Sequence, residues 1–255
     1  MPAGHRHSGR STRPDEADRL PLPANFLPQH PFDNGEMVIR DEVLLPWPRT
    51  PADVRGMLAE YYRYITYLDL LIGRVIDAVD ASPRAKDTFI VFAADSGVAR
   101  GSHGLIGKQN LYEHSMRVPL IIAGPGVPAS RRSAAMCYLF DVLPTLGAMC
   151  GVKAPATSEG RDFSAVLRDP SRPGRPALMF AYRDVQRAVR DERWKLIRYP
   201  QIDRTQLFDL VSDPDETRDL AAEPAQAARI SELTRRLEGE MRSFGDNAEI
   251  GRAHV

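Results

Sequence analysis

Two apolar runs enclose a glycine-rich polar loop near the middle of this chain. The first run, Phe89 to Ala94, ends directly at a carboxylate, Asp95, and the second extends from Val118 to Ile122. Continuous apolar runs of this length are typical of strands buried on both faces of a sheet. Polar groups that follow such strands collect at the carboxyl edge of an open α/β sheet, where reaction sites are built. The sequence therefore predicts an α/β fold with a functional loop between two buried strands.

Four side chains around this loop are candidates for a functional site: Asp95, Ser96, His103 and Lys108. Carboxylate oxygens suit a hard cation such as calcium or magnesium, although Asp95 alone fits a helix cap or a salt bridge equally well. Lys108 can hold an anionic group as a mobile point charge, and His103 can donate to an anion or transfer a proton. Either side chain alone is more often simply exposed to solvent. Glycines at positions 97, 101, 104 and 107 allow close approach to a ligand, so the combination favours a site.

The rest of the chain predicts an α/β part followed by a small α+β part. A long amphipathic helix starts at Thr50, which can cap it before Pro51, and stops at Ser82-Pro83. Residues 134–150 are predicted to form a second helix. Short β-rich runs after residue 175 predict a small antiparallel sheet, and Pro224 to Met241 a final helix. We therefore expect a disordered tail over 1–24, an α/β domain over 25–174, a small subdomain over 175–245 and a tail over 246–255.

Charge and hydropathy exclude some classes of function. Lys and Arg total 34 and Asp and Glu total 34, so the net charge is zero and lacks the basic excess typical of nucleic-acid binding. No apolar run approaches the roughly 20 residues of a membrane span. The first twenty residues lack the apolar core of a secretory signal, and the sequence leaves the compartment undetermined.

The motifs in and around the loop resemble the sulfatase family of the alkaline-phosphatase-like superfamily. The family pattern places Asp after an apolar strand, then His or Asn and Gly, a His-Gly pair, Gly-Lys, an aromatic-Glu pair and Arg-Val-Pro-Leu-Ile. This chain carries, in the same order, Asp95-Ser96-Gly97, His103-Gly104, Gly107-Lys108, Tyr112-Glu113 and Arg117-Val118-Pro119-Leu120-Ile121. The resemblance extends over roughly residues 20 to 245.

The resemblance implies a fold and an activity. The fold would be part of an alkaline-phosphatase-like sandwich, a mixed sheet flanked by helices, followed by a small antiparallel α+β subdomain. The activity would be hydrolysis of sulfate monoesters, on aryl groups or sulfated glycans, with a formylglycine nucleophile and a bound calcium. On that template Asp95 and Ser96 would contact the metal, Lys108 would bind the sulfate and stabilise the leaving oxygen, and His103 would lie near the substrate.

The chain departs from the family pattern at two points. Ser96 stands where the family has His or Asn, and its shorter neutral oxygen predicts weaker metal binding or a different metal. We also expect the paired metal-binding aspartates and the Cys/Ser-x-Pro-x-Arg nucleophile segment, which the family carries in its amino-terminal half, to be absent. The chain then reads as a carboxyl-terminal fragment of a sulfatase, inactive alone and prone to self-association through an exposed sheet edge.

Two alternatives remain open on the sequence. The chain could derive from a phosphohydrolase of the same superfamily, which uses similar metal-bearing strand ends. It could also be a non-catalytic remnant that binds a sulfated glycan through Lys108, His103, Arg183 and Arg187, since arginines suit bidentate contacts to anions. A solvated β-ribbon surface is the simpler interpretation of those two arginines.

Overall fold

The computed structural model describes residues 17–250. Its helices and strands follow one another as α1 (Pro51–Asp80), β1 (Ile90–Ala93), α2 (Glu113–Met116), β2 (Leu120–Ala123), α3 (Val142–Cys150), α4 (Ser164–Arg168), β3 (Leu178–Tyr182), β4 (Gln186–Arg190), β5 (Trp194–Tyr199), β6 (Arg204–Asp209) and α5 (Ala227–Ser243). Short 3-10 turns lie at Glu42–Leu44, Ala85–Asp87, Leu139–Asp141, Pro200–Ile202 and Pro224–Gln226. The predicted mixed α/β fold with a small antiparallel α+β part is confirmed.

Helix α1 begins where its capping residues predict. The Thr50 hydroxyl accepts a hydrogen bond from the backbone N–H of Asp53 at 3.2 Å, and the Asp53 carboxylate accepts in return from the Thr50 N–H at 3.4 Å. Val54 and Leu58 of the first two turns are buried, but the apolar face beyond them is not covered. Tyr64 is 61% exposed and Val75 is 65% exposed. The helix thus extends well past the part that packs on the rest of the described chain.

Strands β1 and β2 form a two-stranded antiparallel ribbon in which Ile90 faces Ala123 and Ala93 faces Leu120. The prediction that both strands are buried on both faces is wrong for this structure, since Phe92 is 38% and Ile121 is 60% exposed. The physical reason is the absence of neighbours: within residues 17–250, no further strand pairs with the ribbon. The apolar pattern predicts both strands, but their burial depends on neighbouring elements that sequence periodicity does not show.

The four strands β3 to β6 form an antiparallel sheet in sequence order. One face carries Val189, Leu196 and Leu207, which pack against Leu233 and Leu237 of α5. Successive strand residues point to opposite faces, so the neighbouring Ala188, Ile197 and Phe208 pack instead against the polypeptide between β1 and β2, at Leu105, Leu111 and Tyr112. The small sheet therefore has a helix on one face and the predicted functional loop on the other.

Side chains and a loop occupy part of each outer edge of this sheet. On β3, the Tyr138 hydroxyl accepts from the Met179 N–H at 2.6 Å and lies 3.1 Å from the Met179 carbonyl oxygen, to which it donates. On β6, the Leu207 N–H donates to the Asp219 carboxylate at 3.0 Å, and the Leu207 carbonyl accepts from the Leu220 N–H at 2.8 Å. At Met179 and Leu207, the backbone groups that a further strand would need are thus already paired.

The two predicted tails can be compared with the structure only in part. Residues 1–16 and 251–255 lie outside the described residues. Leu20 accepts a hydrogen bond from Arg55 of α1 at 2.9 Å, and Ile250 is buried in the core beneath α5. Ordered structure therefore continues into both segments that the sequence assigned to tails. No helix within residues 17–250 is long and apolar enough to cross a bilayer.

Candidate functional site

The glycine-rich segment folds into a short hairpin. The Ala99 N–H donates to the Gly107 carbonyl at 2.9 Å, and the Gly101 N–H donates to the Leu105 carbonyl at 2.8 Å. Gly104 has φ +71°, and a Cβ built on it would lie 2.4 Å from the backbone nitrogen of His30. Only glycine fits that close backbone approach. The loop is thus a rigid, well-packed structure rather than a mobile surface segment.

Asp95 and Lys108 emerge on either side of the hairpin base. Asp95 follows the end of β1 and precedes Ala99 by four positions, while Lys108 comes directly after Gly107, the hydrogen-bonded partner of Ala99. Both side chains are exposed, and Ser96 is partly buried. The structure therefore places the predicted metal carboxylate four residues before the hairpin and the predicted sulfate-binding cation directly after it, and both are exposed to solvent.

His103 differs from the other three candidates because it is buried. Its imidazole stacks on the Tyr112 ring with centroids 3.9 Å apart, and its Nε2 accepts from the Asn25 side-chain amide at 3.0 Å. Burial lowers the pKa of His103 to about 3, so the ring is neutral at ordinary pH. In this position the side chain anchors the hairpin from beneath, and its catalytic role stays a prediction.

A second histidine, His114 on α2, lines a cavity of about 410 Å³ together with Tyr61, Tyr62 and Arg100. Both ring nitrogens of His114 are buried without a hydrogen-bond partner among the described residues. Burial lowers the pKa of His114 well below its ordinary value. The sequence offered only the presence of a histidine near the loop, which is a weak signal.

A buried ion pair beside the hairpin was missed by sequence reasoning. The Glu42 carboxylate accepts from the backbone N–H of Ile106 at 3.0 Å and of Gly107 at 2.8 Å, and the Arg49 guanidinium donates to it at 2.8 Å. Arg49 also donates to the Gly104 carbonyl. Both residues lie in the proline-rich segment 25–49, whose composition predicted only an ordered loop or a linker.

Two family models match this chain and between them cover the elements described above. The model "Sulfatase" matches residues 9–152, which include α1, the ribbon and the hairpin. The model "N-sulphoglucosamine sulphohydrolase, C-terminal" matches residues 101–243, which include the four-stranded sheet and α5. The chain belongs to the sulfatase family. The predicted resemblance to sulfatases of the alkaline-phosphatase-like superfamily is confirmed.

Individual relatives and solved structures agree with the assignment. A choline-sulfatase of Rhizobium meliloti is 34% identical over 192 residues, covering 72% of this chain and 37% of the relative. A structure solved in complex with its substrate D-glucosamine-2-N,6-O-disulfate is 26% identical, with a TM-score of 0.72 over 77% of this chain and 42% of the other. The phosphonate monoester hydrolase of Agrobacterium radiobacter is 26% identical, with a TM-score of 0.67 over 76% and 43%. The chain thus spans about two fifths of these relatives.

The described residues of this sulfatase-family chain do not form a complete calcium site. Calcium takes six to eight oxygen ligands. Asp95 and Ser96 offer one carboxylate and one hydroxyl, and residues 17–250 contain no group of three or more His, Cys, Asp or Glu side chains placed to hold a metal. This pair can supply part of a coordination shell and no more.

The prediction about the sulfatase nucleophile pattern in this chain is corrected by the sequence itself. The expectation that Cys/Ser-x-Pro-x-Arg is absent was wrong, because Ser171-Arg172-Pro173-Gly174-Arg175 has this spacing. The structure places it in the connection between α4 and β3, where the Ser171 hydroxyl donates to the Asp169 carboxylate at 2.6 Å. Arg175 forms an ion pair with the buried Asp141 carboxylate at 2.5 Å. Both groups serve local structure, so we assign no nucleophilic role to Ser171.

The structure also decides the status of the two arginines considered for glycan binding. The Arg187 guanidinium is buried and donates to the Asp246 carboxylate at 2.6 Å. Arg187 is therefore not available to an external anion, and its proposed glycan contact is wrong for this structure. Arg183 is largely exposed but forms an ion pair with the buried Glu36 at 2.8 Å.

Proposed function

We propose that this chain carries part of the active site of a sulfate-ester hydrolase, with Lys108 as its sulfate-binding cation. The observation that carries the proposal is the exposed Lys108 at the base of a rigid hairpin in a sulfatase-family chain. A lysine ammonium has three donors and a full charge, which suit the oxygens of a sulfate group. Charge that develops on a leaving oxygen is stabilised by such a preplaced cation.

Asp95 has the second role in this proposal, as one oxygen ligand of a divalent cation, with Ser96 as an additional weak ligand. The exposed carboxylate two residues after the end of β1 supports this role. The remaining ligands must come from outside the described residues, because Asp95 has too few acidic neighbours there.

Catalysis by the 255-residue chain alone is not expected. A hydrolase of this kind needs a nucleophile and a completed cation site, and the described residues supply neither. The purified chain should release no nitrophenol from p-nitrophenyl sulfate, with or without calcium. Turnover that is lost in Lys108→Ala would overturn this part of the proposal.

Anion binding tests the role of Lys108 directly. Sulfate is titrated into isotope-labelled chain at constant ionic strength with chloride as the balance, and the side-chain NMR signals of the lysines are followed. We expect Lys108 to respond while Lys86, Lys153 and Lys195 do not, and Lys108→Ala to remove the response without loss of folding. Equal responses of Lys86 and Lys108 would show only general screening of charge by sulfate and would contradict the role of Lys108 as the sulfate-binding cation.

The relatives support a proposal of the substrate class. A sulfated sugar is the substrate in one related solved structure, and we propose sulfated glycans or small sulfate esters for the active site to which this chain contributes. The phosphonate monoester hydrolase with 26% identity favours a second candidate, hydrolysis of phosphonate or phosphate monoesters. Titration with inorganic phosphate beside sulfate separates them: tighter binding of phosphate at Lys108 favours the second candidate.

A further inference from the structure

Two consecutive carboxylates hold the chain around Lys108, Glu42 through backbone N–H groups and Asp41 through a side-chain amide. The Glu42 carboxylate accepts from the N–H groups of Ile106 and Gly107, immediately before the lysine. The Asp41 carboxylate accepts from the side-chain amide of Gln109 at 2.8 Å, immediately after it. The oxygen of the same Gln109 amide accepts from the Lys108 backbone N–H at 3.0 Å.

The inner half of this arrangement is fully buried. The side chains of Glu42 and Arg49 are 4% and 0% exposed, and Nη2 of Arg49 donates both to the Glu42 carboxylate and to the Glu42 backbone carbonyl at 2.8 Å. Charge-assisted hydrogen bonds of this kind are stronger than neutral ones. A buried carboxylate with several donors is therefore a stiff support for the hairpin strand that leads to Lys108.

Asp41, Glu42 and Gln109 pack closely around Gly107 of the hairpin. A Cβ built on Gly107 would lie 3.0 Å from Cβ of Asp41, 3.0 Å from Oε1 of Glu42 and 2.6 Å from Oε1 of Gln109. The lysine side chain itself is exposed. The backbone of Lys108 is thus held by neighbours, while its ammonium remains open to a ligand.

We propose that Asp41, Glu42 and Arg49 are positioning residues for Lys108, which fix its backbone so that the ammonium meets a sulfate or phosphate ester anion at a set place. This inference rests on the proposed function. A long lysine side chain loses considerable rotamer freedom on binding, and a fixed attachment point limits the further freedom that binding must remove. Preorganisation of a cation in this way is what electrostatic stabilisation of an anion requires.

Two variants test the support from its two sides. Glu42→Gln removes the buried acceptor charge. Gln109→Ala removes the half-buried side chain that links Lys108 to Asp41. It is the milder change, so it still tests the support if Glu42→Gln fails to fold. Asp141→Asn is the matched control, because Asp141 is also a buried carboxylate that accepts from two backbone N–H groups, of Tyr138 and Arg161, and pairs with an arginine. It contacts a different part of the chain.

Hydrogen exchange of the Ile106, Gly107 and Lys108 amides and the sulfate response of Lys108 are measured for each folded variant. We expect Glu42→Gln to speed exchange at the Ile106 and Gly107 amides and Gln109→Ala to speed exchange at the Lys108 amide, each about tenfold or more. Both variants should weaken sulfate binding at Lys108 severalfold. Asp141→Asn should lower the melting temperature without either effect. Rescue by Glu42→Asp of part of the sulfate response would support positioning by the carboxylate.

The outcomes separate the two proposals. If wild-type Lys108 shows no sulfate response, the proposed function fails, and the positioning role fails with it. If wild-type Lys108 responds and the variants bind sulfate equally well, only the positioning role is overturned, whether or not exchange increases. If Asp141→Asn weakens sulfate binding as much as Glu42→Gln does, the effect is general destabilisation and the positioning role is likewise overturned.

Discussion

Substitution of Lys195 by methionine should destabilise this protein strongly and in a pH-dependent manner. The Lys195 side chain is fully buried, with its ammonium 3.1 Å from the Glu113 carboxylate and 3.0 Å from the Glu216 carboxylate. The methionine keeps the apolar stem of the lysine in place and removes only the charge. The interaction joins α2, just after the hairpin, to β5 and to the loop that follows β6.

The size of the effect follows from what remains paired. Glu113 keeps its ion pair with Arg190 at 2.6 Å. Among residues 17–250, Glu216 keeps only the hydrogen bond that it accepts from the Glu113 N–H at 2.7 Å. Breaking a buried pair by removing one partner costs about 3–5 kcal/mol. Because only one of the two carboxylates loses its cation, we expect a loss of about 3 kcal/mol at neutral pH.

The pH dependence has a definite sign. Burial raises the pKa of Glu216, and Lys195 opposes that rise, so the variant raises the pKa further. A carboxyl group whose pKa is higher in the folded than in the unfolded protein binds more protons when the protein is folded. Its destabilisation of the folded protein therefore grows as the pH rises above the ordinary pKa of 4.5. The loss in Lys195→Met should therefore be larger at pH 8 than at pH 5.

Urea unfolding followed by circular dichroism at both pH values measures the loss. Lys195→Met with Glu216→Gln is the control, because it removes the unpaired charge and should recover part of the stability. A loss below about 1 kcal/mol, which is the range of an exposed ion pair, or equal losses at pH 5 and pH 8, would refute the reasoning.

Three further predictions concern acid stability, association and metal binding. Burial lowers the pKa of His30 to about 4 and of His103 to about 3, so the free energy of unfolding should fall as the pH drops below 6.5. The expected loss is about 2 kcal/mol per histidine at pH 5, and a urea midpoint that does not change with pH would contradict it. The exposed apolar residues of α1 and the ribbon should make the wild-type chain self-associate, and Val75→Glu with Ile121→Glu should restore a monomer in light scattering; a wild-type monomer would contradict this. Calcium should bind the wild-type chain weakly and Ser96→Asn more tightly by calorimetry, with Asp95→Asn as the control, and equal affinities of wild type and Ser96→Asn would remove Ser96 from the metal site.

The elements that local patterns determine were predictable from the sequence. The Thr50 cap set the start of α1, and the β-rich runs with the following amphipathic segment indicated β3 to β6 and α5. The hairpin was predicted as a glycine-rich loop with Asp95 and Lys108 near its ends. These features depend on residues close together in the chain, which periodicity and turn chemistry can show.

The features that the sequence did not show depend on distant contacts. Glu42 lies 64 residues from Ile106, and no local pattern marks its carboxylate as the acceptor for the hairpin. The burial of His103 depends on Asn25, 78 residues away, and on stacking with Tyr112. The burial of β1 and β2 depends on which other strands and helices pack against them. Their apolar sequence would be the same whether the strands were buried or exposed.

The blocked edges of the four-stranded sheet limit how copies of this protein can join. A strand from another molecule cannot extend the sheet past Met179 or Leu207, because Tyr138, Asp219 and Leu220 already occupy the backbone groups there. Within residues 17–250, no further strand pairs with the β1–β2 ribbon, and its side chains Phe92 and Ile121 are exposed. Aggregation of this chain by strand pairing would therefore start at the ribbon, and the small sheet would stay folded within the aggregate.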